Sequence, residues 1–265
     1  MPKIRIGDIK MYYEVHGKGF PLIMIMGLTA NKDWWPPEVI EQFSKHFKTL
    51  IFDNRGAGRT DAPKTDYTIK MFADDTIGLM DALEIEEAHI LGVSMGGMIA
   101  QELVLNYPDR VKKLVLCSTT PGGPNAVPTP PETIAVMMER GNLTDEQKAR
   151  RIIPLLFPKD FIQNNPEIVE RTINHMLIAP ITEDAYMRQL KACMEFNAYD
   201  RLPTINRPTL VMAGKEDVLL PYQNDEIIAK RIPKAKLILY DNVGHGMTTQ
   251  VAEDFVQKVI KFLEK

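Results

Sequence analysis

The chain has 265 residues, of which 45% are hydrophobic and 25% charged, and its formal net charge is −3. This composition is typical of a soluble globular protein, and the length suits one large domain with an inserted subdomain. The charge excludes nucleic acid and anionic membranes as favoured partners, and no apolar stretch reaches the roughly 20 residues of a membrane helix. The first residues carry no signal-peptide pattern, so we expect a cytoplasmic protein. Cys117 and Cys193 lack metal-ligand spacing and are predicted to be free thiols.

The first half of the chain alternates between short apolar runs, which predict strands, and amphipathic runs, which predict helices. A β-hairpin is expected first, with its turn at residues 7–8. Predicted strands cover residues 4–6, 10–16, 20–26, 49–52, 88–93 and 114–118. Predicted helices cover residues 36–47, 67–83 and 98–107.

The alternation breaks at residues 121–131, which contain five prolines and two glycines and have the composition of a linker. Helical segments without strands follow at residues 132–140, 145–156, 166–178 and 182–197. The pattern then resumes with strands at 209–213 and 236–240 and helices at 225–231 and 250–264. We therefore predict an α/β core formed by residues 1–121 and 201–265, and a helical subdomain at 122–200. The core should contain a mostly parallel sheet with helices on both faces.

The stretch around Ser94 indicates a nucleophile. Gly92, Ser94 and Gly96 form a Gly-x-Ser-x-Gly pattern between a predicted strand and a predicted helix. A turn this sharp needs glycine on both sides and forces the serine into a strained conformation. The hydroxyl should then project over the end of the sheet, beside a helix start whose N–H groups favour negative charge.

A serine nucleophile needs a base, and the base needs an acid that orients it. Catalytic groups in such sheets gather at the carboxyl ends of strands. Of the five histidines, only His245 follows a core strand, between two glycines that leave it room to reach inward. Two acids, Glu216 and Asp217, follow the strand at 209–213, and chemistry alone separates them only weakly.

The order Ser94, Asp217, His245 resembles that of the α/β-hydrolases. The loop at 53–58, with the pattern Asp-x-Arg-Gly-x-Gly, and the turns at 214–217 and 244–245 resemble that family as well. The resemblance covers nearly the whole chain. It implies the α/β-hydrolase fold, and it identifies the inserted helices as similar to the family's lid.

The resemblance also implies roles for particular residues. The family position favours Asp217 as the acid. The backbone N–H groups of Leu28 and Met95 correspond to the family's oxyanion hole, which stabilises the negative oxygen of the intermediate. Many members have His-Gly before the first of these donors, whereas this chain has Met26 and Gly27. The difference bears on the geometry of the loop and on the subfamily.

Other residues near these positions have structural or pocket-lining interpretations. Asp53 and Arg55 look catalytic, but we predict that they hold the glycine-rich loop. Met26 and Met247 flank catalytic positions and are predicted to line the substrate pocket. Trp34 is a candidate for the wall of that pocket, and packing beneath the lid is the alternative.

The resulting prediction is a serine hydrolase that cleaves carboxylic esters with neutral, short-to-medium acyl groups through an acyl-enzyme, with no metal or other cofactor. The resemblance is strongest to small lid-bearing esterases, lactonases and cofactor-free haloperoxidase-like members. The alternatives are a lactonase of the acyl-homoserine-lactone or enol-lactone type, a perhydrolase or carbon–carbon bond hydrolase with the same triad, and a non-catalytic receptor of a small ligand. The expected partner is a small ester or lactone. The sequence does not distinguish a monomer from a homo-oligomer.

Overall fold

The computed structural model describes residues 3–265, and this part of the chain forms one sheet of eight strands. The strands are β1 (Lys3–Ile6), β2 (Ile9–His16), β3 (Pro21–Ile25), β4 (Lys48–Phe52), β5 (Ala88–Val93), β6 (Val111–Cys117), β7 (Thr209–Gly214) and β8 (Ala235–Tyr240). Their order across the sheet is β1-β2-β4-β3-β5-β6-β7-β8. The pairings β1–β2 and β2–β4 are antiparallel, and all the others are parallel. The predicted mostly parallel sheet is confirmed, and the carboxyl ends of β3 to β8 lie along one edge.

Helices cover both faces of the sheet. Those outside the insertion are α1 (Pro37–Ser44), α2 (Ile69–Ala82), α3 (Met95–Asn106), α9 (Gln223–Arg231), α10 (Met247–Gln250) and α11 (Ala252–Leu263). Strand side chains alternate between the faces, as the two-residue repeat of a strand requires. In β3, Ile23 and Ile25 pack in the apolar cluster that contains residues of α2 and α3, whereas Leu22 and Met24 pack with α1 and α11.

Two helices illustrate how the sequence specifies these elements. Helix α2 begins after Thr68, whose side chain accepts a hydrogen bond from the Met71 N–H and so caps the helix. Helix α3 is apolar on nearly every side and is buried between the sheet and its neighbours. It starts at Met95, three residues before the predicted start. Gly96 and Gly97 have low helix propensity, so the sequence carries no sign that the first turn is helical.

The inserted helices lie between β6 and β7 in the chain. They are α4 (Pro131–Met138), α5 (Asp145–Leu156), α6 (Lys159–Asn164), α7 (Pro166–Leu177) and α8 (Glu183–Glu195). The short helix α6 was not predicted from the sequence. The two ends of the insertion meet, since the Ala198 N–H donates to the Pro121 carbonyl at 2.8 Å and Gly123 to Phe196 at 3.1 Å. The inserted helices also have apolar clusters of their own, such as the one around Phe157 and Ile173.

Cys117 is buried, Cys193 is half-buried, and both are free thiols, as predicted. Among residues 3–265, no helix combines the length and the apolar character that crossing a membrane requires.

Candidate active site

Ser94 occupies the sharp turn between β5 and α3, with φ 58° and ψ −122°. A positive φ is uncommon for a residue with a side chain and marks local strain. A Cβ added at Gly92 would lie 2.1 Å from the Gly96 carbonyl oxygen, and one added at Gly96 would lie 2.1 Å from that of Ile25. The Ser94 N–H donates to the Cys117 carbonyl at 2.9 Å, which fixes the turn to β6. The strained turn expected from the Gly-x-Ser-x-Gly pattern is therefore present, and it leaves Ser94 partly exposed.

Asp217 and His245 form a buried hydrogen-bonded pair. Asp217 follows β7 and His245 follows β8, and the distance from Asp217 Oδ2 to His245 Nδ1 is 2.7 Å. The other carboxylate oxygen, Oδ1, accepts the N–H groups of Leu219 and Leu220, both at 2.9 Å. An ionised carboxylate only accepts hydrogen bonds, so His245 carries its proton on Nδ1 and Nε2 is left as a base.

The neighbouring acid does not take part in this pair. Glu216 is exposed, and its N–H donates to the Val243 carbonyl at 2.9 Å. The acid that meets His245 is therefore Asp217. Within residues 3–265 the Ser94 hydroxyl makes no hydrogen bond, to His245 or to any other group. The structure thus brings the acid and the base together and leaves the serine hydroxyl unpaired beside the strand ends.

The loop after β3 passes directly over Ser94. A Cβ added at Gly27 would lie 2.9 Å from Ser94 Cβ and 3.3 Å from its Oγ. Residues 27–30 form a turn in which the Ala30 N–H donates to the Gly27 carbonyl at 3.2 Å. Within the described chain, neither the Leu28 nor the Met95 N–H donates to a protein acceptor. Met95 directly follows Ser94, and Leu28 directly follows Gly27, but the role of these two N–H groups as oxyanion donors stays a prediction.

The inserted helices contact both loops of the site. Gln189 of α8 is fully buried, and its side-chain oxygen accepts the Thr29 N–H at 2.9 Å. At the other loop, the Gly246 N–H donates to the Leu156 carbonyl at 2.8 Å, beside the ring of Phe157. These contacts cannot be predicted from the sequence, because no local pattern reports a pairing between residues 160 positions apart.

The glycine-rich loop after β4 is held by buried hydrogen bonds and by an ion pair. Asp53 accepts hydrogen bonds from the backbone N–H groups of Lys32 and Arg59, each at 2.7 Å, and burial raises the pKa of its carboxyl. The Arg55 guanidinium donates to both oxygens of Asp75, at 2.8 and 2.7 Å. These contacts agree with the structural role predicted for Asp53 and Arg55.

The predicted pocket residues have different surroundings. Met26 and Met247 are buried in the apolar cluster on the α1 and α11 side of the sheet. Trp34 is half-buried and lines a cavity of about 50 Å³ between the core and the inserted helices. Arg140 and Lys148 also line this cavity, and so does Thr29 from the loop over Ser94. A role for Met26, Trp34 and Met247 in substrate binding stays a prediction.

The known proteins that this chain resembles are hydrolases. The family model for the alpha/beta hydrolase fold matches residues 21–247. The provisionally named carbamate hydrolase RutD of Caulobacter sp. (strain K31) is 30% identical over 96% of this chain and 95% of its own length. A poly(3-hydroxyalkanoate) depolymerase of Ectopseudomonas oleovorans is 31% identical over 92% of this chain and 84% of its own. Among solved structures, a thermophilic esterase from Thermogutta terrifontis is 26% identical and superposes with a TM-score of 0.84. The match covers 100% of this chain and 98% of the esterase.

Proposed function

Because this chain belongs to the alpha/beta hydrolase fold family, we propose that it is a serine hydrolase of carboxylic esters, with Ser94, His245 and Asp217 as its triad. The observation that carries the proposal is the 2.7 Å hydrogen bond between Asp217 and His245. This bond leaves Nε2 of His245 as the free base that a serine nucleophile needs. The strained turn at Ser94 supports the proposal, since strain of this kind concentrates at functional sites.

The proposed reaction proceeds in two halves. Nε2 of His245 takes the Ser94 proton while Oγ attacks the carbonyl carbon of the ester. The N–H groups of Leu28 and Met95 stabilise the resulting oxyanion, and each donor is worth about 3 kcal/mol in such sites. His245 then protonates the departing alcohol, and the acyl-enzyme remains. Water, activated by the same histidine, releases the acid, so the steps require no cofactor.

We propose neutral substrates because the cations near the site already have partners. Arg140 and Lys148 of the cavity lie 3.3 and 3.7 Å from Glu183, and Lys148 also lies 3.7 Å from Asp145. The other arginines of the inserted helices each have a carboxylate within 4 Å; they are Arg150, Arg151, Arg171 and Arg188. A substrate carboxylate would have to displace one of these partners.

The acyl group is proposed to be short or medium in length. Each methylene buried against apolar lining adds about 0.8 kcal/mol until the pocket is full. Specificity constants should therefore rise with acyl length and then fall. A strong preference for a dicarboxylic lactone over neutral esters of similar size would contradict the neutral pocket.

A lactone is an internal ester, so the same residues would open its ring and release a hydroxy acid. One similar structure is that of an esterase, and one relative is named as a depolymerase of poly(3-hydroxyalkanoate), which supports a substrate of the ester class. We therefore keep lactones within the proposed substrate class. The cytoplasm is the proposed location, since disulfides are rare there and both cysteines of this chain are free thiols.

The proposal is tested with p-nitrophenyl esters of increasing acyl length, run beside neutral lactones. The wild-type protein should hydrolyse at least one class, and Ser94→Ala should keep less than about a thousandth of that activity while remaining folded. Ser118→Ala is a matched control, because Ser118 also has a positive φ, at 45°, and lies at the end of β6. Activity that survives Ser94→Ala, or is lost equally in Ser118→Ala, would contradict the assignment of the nucleophile.

A further inference from the structure

The turn that carries Leu28 is held in a strained form. Its Gly27-to-Ala30 hydrogen bond, together with a φ of 68° at Thr29, is the pattern of a type II β-turn. The third position of such a turn favours glycine or asparagine, because φ must be positive there. Threonine is β-branched and rarely adopts this conformation. Something outside the turn must therefore favour it.

Gln189 supplies that contact. Types I and II of a β-turn differ mainly by a rotation of the central peptide through about 180°, which reverses the direction of its N–H. In this turn the central N–H is that of Thr29, and it donates to Oε1 of Gln189 at 2.9 Å. In the type I form the N–H would point away from Gln189 and lose this acceptor. The bond therefore favours the strained form.

The orientation of the Gln189 amide is fixed as well. Its Nε2 donates to the backbone carbonyl of Arg55 at 2.8 Å, and a carbonyl can only accept, so Oε1 must face Thr29. The Arg55 side chain is itself bonded to Asp75 and Asp8, which anchors this part of the loop. Gln189 has no exposed surface, so water does not compete for either bond.

The Leu28 N–H belongs to the Gly27–Leu28 peptide, so turning over the next peptide does not by itself redirect it. We propose that Gln189 is a positioning residue that holds the loop of residues 27–30 in place, and with it the Leu28 N–H that would bind the oxyanion. It acts through the Thr29 peptide, and it makes the oxyanion hole depend on the docking of α8. This inference rests on the proposed function, because it assigns a role within the same reaction. Gln189 does not touch the reacting atoms.

The first test compares Gln189→Met with Asn224→Leu. Asn224 is also fully buried, and its amide holds a loop by two bonds, to the N–H and the carbonyl of Val127, at 2.8 and 2.9 Å. Gln189→Met should lower kcat about 10- to 100-fold and change KM less than about threefold, because a loop that is no longer held displaces the donor and weakens transition-state binding. Asn224→Leu should lower stability and leave kcat within about threefold. An equal loss of kcat in both variants would overturn the proposal.

The second test asks whether the turn is what Gln189 controls. Glycine adopts a positive φ without strain, so Thr29→Gly removes the need for the outside contact. In the Thr29→Gly background, Gln189→Met should lower kcat less than about threefold. If Gln189→Met costs the same factor in both backgrounds, Gln189 acts by another route and the proposal is wrong.

A third measurement does not depend on turnover. The Ala30 N–H donates to the Gly27 carbonyl in either type of turn and does not contact Gln189, so its hydrogen exchange reports how firmly the loop is held. Exchange at Ala30 should speed up in Gln189→Met and remain unchanged in Asn224→Leu. Unchanged exchange at Ala30 in Gln189→Met would overturn the inference, whereas a wild-type protein that hydrolyses no ester or lactone would overturn the proposed function instead.

Discussion

Replacing Asp217 by asparagine is expected to reverse the tautomer of His245. In the wild-type protein, Oδ1 of Asp217 accepts the N–H groups of Leu219 and Leu220 at 2.9 Å, and Oδ2 faces His245 at 2.7 Å. An asparagine must keep its oxygen toward the two backbone donors, since the other orientation would set its NH₂ against both of them. The NH₂ then donates to Nδ1 of His245, and the ring proton moves to Nε2.

A proton on Nε2 prevents His245 from accepting the Ser94 proton. We expect kcat/KM to fall about 10⁴-fold, which corresponds to ~5 kcal/mol of transition-state stabilisation. The side chains have the same size, so the variant should stay folded. The assay is hydrolysis of a p-nitrophenyl ester, with circular dichroism to check the fold.

Glu216→Gln is the matched control for this prediction. Glu216 precedes Asp217, is exposed, and should tolerate the change with less than about a twofold effect. A loss below about tenfold in Asp217→Asn would refute the tautomer argument. A large loss in Glu216→Gln would show that the wrong acid has been assigned.

Two further predictions concern stability. Arg55→Leu should lower the free energy of unfolding by about 3–5 kcal/mol, because it leaves the buried Asp75 carboxylate without its partner. Denaturant unfolding measures this, and the double variant with Asp75→Leu should recover part of the loss; no recovery would contradict the explanation. His89 is buried, and its Nδ1 has no hydrogen-bond partner within residues 3–265. Burial, with the positive Lys113 and Lys112 nearby, lowers the pKa of His89 from 6.5 to about 4. The unfolded chain therefore takes up the His89 proton first as the pH falls, so this residue should remove about 2 kcal/mol of stability between about pH 7.5 and about pH 5. His89→Leu should show a smaller decrease over that interval, and an unchanged pH dependence would contradict the assigned pKa.

The sequence was sufficient to place the elements of the core. Apolar runs located the strands, and the catalytic candidates were found because each follows a strand: Ser94 after β5, Asp217 after β7 and His245 after β8. Parallel pairing then brings these strand ends to one edge of the sheet. A local pattern was enough to find these three residues, because consecutive residues determine both where a strand ends and which turn follows it.

The contacts made by the inserted helices could not be predicted in the same way. The bond between Gln189 and Thr29 and the bond between Leu156 and Gly246 both depend on how α5 and α8 dock on the core. Helix periodicity reports which face of a helix is buried, but it does not report which loop that face meets. The positive φ at Thr29 was missed for a related reason, since threonine gives no local signal for it.

The most direct test of the central claim is mass spectrometry after treatment with a fluorophosphonate, which reacts with activated serine nucleophiles. We expect one adduct per chain, located on the peptide that contains Ser94, with hydrolysis lost in proportion to labelling. Labelling should be much slower in Asp217→Asn, because His245 can then no longer accept the Ser94 proton. An adduct on a different residue, or full hydrolytic activity in the labelled protein, would contradict the claim that Ser94 is the nucleophile.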